Sequence, residues 1–256
     1  AGNLLLRPTH HAQSQTWAVH GGHRSLHGCA HSESLTTGRF APSPTGVLHL
    51  GNLRTAVLAW CLAKREGGRF LIRMEDLTTE KVAEAEMQQL ADLASLGIAS
   101  DDEVIRSSDR LGSYRKAIAG LTDAGLTYPC FCSRREIREA VAAPHDAGST
   151  DGHPGTCAGL DDHQRAEHLR SGRPPAVRLR AGAASVEVHD ELGGLITATV
   201  DDFVLQRGDG IPAYNLTVVV DDAAQGVDQV VRGADLFNTT PRQVLLARLL
   251  GVEVPR

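Results

Sequence analysis

Hydrophobic and polar positions along the chain predict helices and strands that follow one another. Residues 36–41 and 69–74 are short runs of strand length, and the second is mostly apolar, as in a strand buried on both faces. Apolar residues recur every three or four positions in Leu50 to Lys64 and in Thr79 to Leu96, which predicts amphipathic helices. Ser107 to Ala124 is a further predicted helix. Strands that alternate with such helices favour an α/β fold.

The second half of the chain mixes the two patterns. Strands are predicted over 176–180 and 185–188, and helices over 161–171 and 241–250. From residue 195 the pattern indicates a return to the first sheet, with a strand and turn over 201–210 and a short strand over 227–231. The β-branched run before Asp221 and Asp222 favours a strand by propensity.

The first 37 residues differ from the rest. They hold six of the twelve histidines and few large apolar residues, and they follow no helical or strand period. They include neither the apolar core of a signal peptide nor the many basic residues of a transit peptide. His10, His11, His20, His23 and Cys29 could bind a metal, but scattered histidines in a polar tail are more often incidental. We expect a disordered N-terminal extension over 1–37.

Composition excludes several classes of protein. A chain of 256 residues can bury a sizeable core, and no run approaches the roughly 18–20 apolar residues of a membrane span. The net charge of −5 argues against a polybasic nucleic-acid binder, so any RNA contact would need a local basic patch. Five cysteines without a secretory signal favour a reducing compartment. We expect a soluble, cytoplasmic protein.

The stretch from Arg39 to Asn52 predicts a strand, a rigid turn and a helix. Pro42 and Pro44 cannot donate ladder hydrogen bonds, so the strand ends there. Thr45 and Gly46 then offer turn and cap chemistry before the helix.

The predicted start of this helix is suited to an anion. A helix N-terminus presents free N–H groups and the positive end of its dipole. His49 can add a donor to a phosphate oxygen, and Gly51 has no Cβ to block a nucleotide. Taken alone, His49 fits a surface or helix-cap histidine equally well.

A carboxylate pair follows the second predicted strand. Glu75 and Asp76 stand at its carboxyl end, where open parallel sheets bind ligands. Glu75 could hold an ammonium group, although a cap for the following helix is the simpler interpretation.

Three cysteines and a histidine have spacings that permit a metal site. Cys130, Cys132, His153 and Cys157 could close a tetrahedral structural zinc site. Alternatively, the first two are half-buried strand residues and Cys157 is unrelated. His145 is a possible substitute for His153. A predicted basic helix beside them, Ser133 to Val141, could face RNA phosphate or simply solvent.

As a whole, the string from Arg39 to Asn52 closely resembles the signature of class I aminoacyl-tRNA synthetases of the glutamyl type. His49 to Asn52 stands where that class carries His-Ile-Gly-His, with Asn52 in place of the last histidine. The run Arg73 to Leu77 also matches this family, whereas Thr78 departs from an aspartate common there. The resemblance covers Gly38 to about Arg256.

The resemblance implies a fold and a reaction. The fold is a Rossmann-type parallel sheet over about 38–126 and 195–256, with an inserted zinc-bearing α+β subdomain over about 127–194. The reaction is activation of L-glutamate by ATP with Mg²⁺, followed by transfer to tRNA, and we expect a monomer. The family also favours a helix rather than a strand from Tyr214.

The resemblance also assigns roles to residues. It implies catalytic roles for His49 and Asn52. It implies that glutamate is bound by Arg39, Phe40, Ala41, Pro42, Ser43, Glu75, Tyr214 and Arg232. It implies that ATP is bound by Pro42, Thr45, Gly46, His49, Gly51 and Asn52. Family members often bind zinc through Cys-x-Cys and Tyr-x3-Cys, and His153 occupies the tyrosine position here.

Two branches of the family remain open. The strings at 51–55, 75–77, 225–227 and 232–236 resemble a shorter branch that attaches glutamate to the queuosine base of tRNA(Asp). Asn215 is more like the usual branch, which charges the 3′ end of tRNA(Glu). The family's second signature, a Lys-Met-Ser-Lys-Ser-like loop, should follow after Arg256, so we expect a fragment. A non-catalytic glutamate- or tRNA-binding paralogue is the remaining alternative.

Overall fold

The first two predicted strands form the centre of a parallel sheet. The computed structural model describes residues 36–77, 84–133, 135–137, 153 and 155–256. Strand β1 (Thr37–Phe40) pairs in parallel with β2 (Arg69–Met74), and β2 pairs in parallel with β3 (Ile105–Arg106). A parallel bridge between Gly38 and Gln229 extends the sheet beyond β1.

Three helices follow these strands, near the positions that the apolar periodicity predicts. Helix α1 is Leu50–Arg65, α2 is Ala85–Ser95, and α3 is Leu111–Asp123, preceded by a 3₁₀ turn at Ser107–Arg110. The buried face of α1 consists of alanines, whose small side chains let the helix approach β1 and β2 closely. The core between them includes Phe40, Phe70, Ile72, Met74 and Leu93.

The middle of the chain forms antiparallel structure. It comprises β4 (Thr127–Cys130), α4 (Asp162–Arg170), β5 (Ala176–Leu179), β6 (Ala184–Asp190), β7 (Gly194–Val200) and β8 (Val204–Gln206). Strands β4, β5 and β8 form one antiparallel sheet, and β6 and β7 form a hairpin. We expected the chain to return to the parallel sheet at residue 195. The strands after that residue pair in the antiparallel structure instead, and the next bridge to the parallel sheet is at Gln229. The division into domains stays a prediction.

The last part of the chain is helical. Helix α5 (Tyr214–Gln225) and helix α6 (Thr240–Leu250) flank a 3₁₀ turn at Ala234–Thr239. The β-branched run inside α5 favours a strand locally, but burial of Leu216 and Val219 on one side of a helix overrides that preference. The helix implied by the family resemblance is the one observed.

Some predictions concern residues that the structure does not describe. These are the extension over 1–35 with its histidines and Cys29, the predicted helix start at Thr79, and Arg134, Arg138 and His145. Within the described part of the chain, no helix is both long and apolar enough to cross a membrane.

Candidate active site

A pocket of about 900 Å³ opens where β1 and β2 end. Its walls come from the turn after β1, the start of α1, the residue after β2, the start of α5 and the segment 231–236. This is the edge at which open parallel sheets bind ligands. The pocket brings together all the residues predicted to bind glutamate or ATP: Arg39, Phe40, Ala41, Pro42, Ser43, Thr45, Gly46, His49, Gly51, Asn52, Glu75, Tyr214 and Arg232.

Beneath this pocket, one carboxylate on α5 binds two arginines from neighbouring strands. The Nε of Arg39 donates to both carboxylate oxygens of Asp222 at 3.2 Å, and Nη1 of Arg73 donates to one of them at 2.8 Å. Arg39 is 5% exposed, Arg73 0% and Asp222 4%. Burial opposes ionisation of Asp222, but Arg39 and Arg73 outweigh it and hold its pKa below the usual value. Helix α5 is thereby fixed to β1 and β2 by charge.

Arg73 also connects this group to the predicted ammonium ligand. Its Nη1 donates to Oε1 of Gln225 at 2.7 Å, and its Nη2 lies 3.5 Å from Oε1 of Glu75. Burial raises the pKa of Glu75 above its usual value, although Arg73 and Arg39 oppose the rise. Glu75 is therefore a largely buried carboxylate, with 12% of its side chain exposed, whose charged form would gain from a further cation in the pocket.

The neighbouring carboxylate on α5, Asp221, lies 3.8 Å from Nε of Arg73 and binds further side chains. Asp221 accepts hydrogen bonds from the Tyr114 hydroxyl at 2.6 Å and from Nε of Arg110 at 2.5 Å. Burial, together with the bond to Asp221, raises the pKa of Tyr114. Because Tyr114 lies on α3, this contact joins α3 to α5 and completes the support of the pocket floor.

The opposite wall of the pocket contains a second arginine held by polar side chains. Nη1 of Arg232 donates to Oε1 of Gln243 at 2.7 Å, and its Nη2 donates to the Thr240 hydroxyl. Nε2 of Gln243 in turn donates to Oδ1 of Asn215 at 3.2 Å. Burial lowers the pKa of Arg232 and raises that of Tyr214. The guanidinium is thus oriented before any ligand arrives.

The start of α1 differs from the expectation of free backbone donors. The N–H groups of Gly51 and Asn52 donate to Nδ1 of His49 at 3.0 and 3.3 Å, and Oδ1 of Asn52 accepts from the His49 N–H at 3.2 Å. Since Nδ1 accepts, the proton of the neutral imidazole is on Nε2. His49 therefore caps the helix and can still offer an Nε2–H donor to an oxygen.

Gly51 makes room for this cap. A Cβ at Gly51 would lie 2.9 Å from Cε1 of His49, closer than real Cβ contacts. The lack of a side chain at Gly51 therefore leaves space for the His49 ring, in addition to any space that it leaves for a nucleotide.

Two supporting residues were missed by sequence reasoning. Gln89 of α2 is 2% exposed, and its Nε2 donates to the carbonyl oxygens of Ser43 at 3.1 Å and Gly46 at 2.7 Å, which holds the turn after β1. The sequence feature that could have identified Gln89 is its polar side chain on the buried face of the helix, between Ala85 and Leu93. The sequence feature that could have identified Arg73 is its charge inside a mostly apolar strand.

The predicted zinc ligands also meet, away from this pocket. The Sγ atoms of Cys130, Cys132 and Cys157 all lie within 4.8 Å of one another. Nε2 of His153 lies 3.3 Å from Sγ of Cys130, and its Nδ1 accepts from the Gly155 N–H at 3.0 Å. The imidazole is next to the cluster, but among the described residues only the thiols form the group within 4.8 Å.

The donor set fits a thiophilic cation. Burial and the neighbouring thiols Cys157 and Cys130 raise the pKa of Cys132 to about 12 and so disfavour its thiolate. A divalent ion would supply positive charge to offset a thiolate, and three thiolates with one imidazole form a known tetrahedral zinc set.

Comparisons with known proteins agree on one family. Residues 36–256 match the family model described as tRNA synthetases class I (E and Q), catalytic domain. The "Glutamyl-Q tRNA(Asp) synthetase" of Nocardia farcinica is 56% identical over 218 residues, which are 85% of this chain and 69% of that protein. The protein of the same name from Cutibacterium acnes is 53% identical over 221 residues, 85% of this chain and 62% of that protein.

A solved structure agrees with the fold. A glutamate tRNA ligase from Elizabethkingia meningosepticum, crystallised with its amino acid, superposes with a TM-score of 0.76 at 26% identity. The match covers 87% of this chain and 48% of the ligase. The chain therefore spans about half of that ligase and roughly two thirds of the two synthetases.

The Asp222→Asn variant tests the buried charges under the pocket. We expect it to lower the free energy of unfolding by about 3–5 kcal/mol, because the buried Arg39 guanidinium loses its carboxylate partner and Arg73 loses one of its three. Urea unfolding followed by circular dichroism measures the change. The control is Asp123→Asn at the exposed end of α3, which should change stability by less than about 0.5 kcal/mol. Equal midpoints for the two variants would show that this network does not stabilise the fold.

Proposed function

Since the chain belongs to the catalytic-domain family of the class I tRNA synthetases for glutamate and glutamine, we propose that it activates L-glutamate with ATP and transfers the glutamyl group to the queuosine base of tRNA(Asp). The observation that carries this proposal is the single pocket that Arg39, Glu75 and Arg232 line together with His49. A dicarboxylic amino acid needs two cationic partners and one anionic partner, and this pocket offers them.

Glutamate binding follows from the charges in the pocket. In this proposal Glu75 holds the substrate ammonium group, which would favour the ionised form that burial disfavours. Arg39 and Arg232 pair with the carboxylates, since a guanidinium binds a carboxylate at two points. Asp222 holds Arg39 through Nε only, which leaves its Nη1 and Nη2 for a ligand. The segment from Phe40 to Ser43 and Tyr214 complete the walls.

The nucleotide would lie beside the start of α1. ATP, as its Mg²⁺ complex, is the second substrate, and Pro42, Thr45, Gly46, His49, Gly51 and Asn52 are the residues proposed to contact it. The Nε2–H of His49 and the free amide NH₂ of Asn52 can donate to phosphate oxygens.

Activation forms a mixed anhydride. A carboxylate oxygen of glutamate attacks the α-phosphorus of ATP, and the bond from that phosphorus to the departing pyrophosphate breaks. The residues contribute by positioning the two substrates and by neutralising charge rather than by acting as a nucleophile.

The choice of acceptor rests on the relatives. Two of them, 56% and 53% identical, carry the name "Glutamyl-Q tRNA(Asp) synthetase", whereas the glutamate tRNA ligase is 26% identical. Sequence strings at 51–55 and 232–236 support the same branch. That the protein acts as a monomer in the cytoplasm stays a prediction.

We further propose that Cys130, Cys132, His153 and Cys157 hold a structural zinc ion. When bound, zinc would brace the end of β4 against the segment around Cys157, and four protein ligands would leave no open position for a substrate. No step of the reaction involves it.

The acceptor is tested with labelled glutamate. The complete gene product is incubated with ATP, labelled glutamate and, separately, tRNA(Asp) with queuosine, tRNA(Asp) without queuosine, and tRNA(Glu). We expect label only on the first tRNA, because only its modified base can accept glutamate. The Arg232→Gln variant should lower kcat/KM for glutamate about 10- to 100-fold, since a charged hydrogen bond contributes about 1.5–3 kcal/mol.

The matched control is Arg115→Gln on the exposed side of α3, which should leave kcat/KM unchanged. Label on tRNA(Glu) instead would contradict the proposed acceptor. No glutamate-dependent exchange of pyrophosphate into ATP would favour a non-catalytic paralogue.

The zinc site is tested by metal analysis of the purified protein. We expect stoichiometric zinc in the wild type and a large loss in Cys130→Ser, because a neutral hydroxyl replaces a thiolate ligand. Cys61→Ser, at an exposed position of α1, should keep its zinc. A wild type without zinc, or a Cys130→Ser variant with the wild-type zinc content, would disprove the site.

A further inference from the structure

A second cavity lies next to the candidate active site. Its volume is about 350 Å³, and among the described residues Tyr214 is the one that lines both cavities. The second cavity is open to solvent. It is lined by the start of α5, by β8 and its preceding loop, by Arg178 of β5, by Arg242 of α6, and by Ile137 and His153. A group bound there would therefore be next to whatever occupies the first pocket.

A chain of hydrogen bonds also connects the two cavities. Arg232 lines the first cavity and Asn215 lines the second. Gln243 joins them, because it accepts from Nη1 of Arg232 at 2.7 Å and donates to Oδ1 of Asn215 at 3.2 Å. This arrangement leaves the NH₂ group of Asn215 as a donor for a ligand.

The polar side of the second cavity is an accessible ion pair. Oδ1 of Asp201 accepts from Nε of Arg242 at 2.8 Å and from its Nη2 at 2.6 Å. The second carboxylate oxygen of Asp201, Oδ2, accepts from the His153 N–H at 3.1 Å. The side chains of Asp201 and Arg242 keep 20% and 34% of their surface exposed, so a ligand can reach both. A carboxylate beside a guanidinium offers both an acceptor and donors, which suits hydroxyl groups.

The other side of the cavity is apolar, and one buried N–H donor beside it has no hydrogen-bond partner among the described residues. Phe203, Val204 and Ala213 supply the apolar wall. Arg178 is 8% exposed, and its Nε has no hydrogen-bond partner among the described residues. Buried donors are normally paired with protein, water or ligand. An apolar wall opposite a few converging polar groups is the usual form of a site for a small planar ligand.

We propose that this second cavity binds the acceptor nucleoside of the tRNA, with its hydroxyl-bearing ring at Asp201, Arg242 and Asn215 and its planar base against the apolar wall. The proposal rests on the proposed function, because it assumes a glutamyl group activated in the first pocket. Single-stranded RNA bases are recognised in this way, unstacked into a pocket and contacted at their edges.

Transfer would take place at Tyr214, where the two cavities meet. A hydroxyl oxygen of the acceptor forms the ester bond to the glutamyl carbonyl carbon, and the bond from that carbon to the AMP oxygen breaks. The hydroxyl proton passes to a phosphate oxygen of the departing AMP. The acceptor must reach the glutamyl carbonyl carbon from beside the glutamate, and the second cavity adjoins the first at Tyr214.

Two variants of the complete gene product separate this cavity from the first. Asp201→Asn keeps the shape but removes the charge, and Val204→Phe fills the space without changing a hydrogen-bonding group. For each, glutamate-dependent exchange of pyrophosphate into ATP reports activation, and labelled glutamate on queuosine-bearing tRNA(Asp) reports transfer. We expect activation within about twofold of wild type and kcat/KM for the tRNA lowered at least about tenfold in both variants.

The control is Asp209→Asn, in an exposed turn that lines neither cavity, and it should leave both rates unchanged. If each variant lowers kcat/KM for the tRNA by no more than it lowers the rate of pyrophosphate exchange, the cavity does not hold the acceptor and the proposal is overturned. If the wild type activates glutamate but does not transfer it to this tRNA, the proposed acceptor fails first and this inference fails with it.

Discussion

The pairing of Asp222 with Arg39 and Arg73 is the constraint on which the rest of this structure depends. These charges are buried, so each needs the others, and a partner lost from such a group leaves an uncompensated charge. Because the partners come from β1, β2 and α5, their pairing fixes the distance between the parallel sheet and the helix that returns to it. Glu75 extends the same group to the pocket surface.

This arrangement separates support from binding. Arg73, Asp221 and Asp222 lie beneath the pocket and contact one another or α3, whereas Arg39 and Glu75 reach its surface. The groups proposed to bind the substrate are therefore oriented by neighbours beneath the pocket, which would lower the ordering cost of binding. The same logic applies to Arg232, which Gln243 holds on the opposite wall.

The sequence predicted local elements better than long-range partners. Strand β2 has the predicted bounds, and α1 differs by a single residue, because apolar periodicity reports burial directly. The family resemblance predicted which residues would share a pocket. Periodicity could not predict that Asp222 pairs with Arg39, since charged residues are usually exposed and the two lie far apart in sequence. The general chemistry of a helix N-terminus predicted free N–H groups at the start of α1. The His49 ring instead folds back and accepts from two of them, which depends on its side-chain conformation.

A crystal structure of the protein with L-glutamate would test the central claim most directly. The account predicts the substrate ammonium within about 3 Å of Glu75 and the two carboxylates paired with Arg39 and Arg232, with Asp222 still bound to Arg39. Glutamate bound outside this pocket, or bound in it without contact to either arginine, would contradict the account.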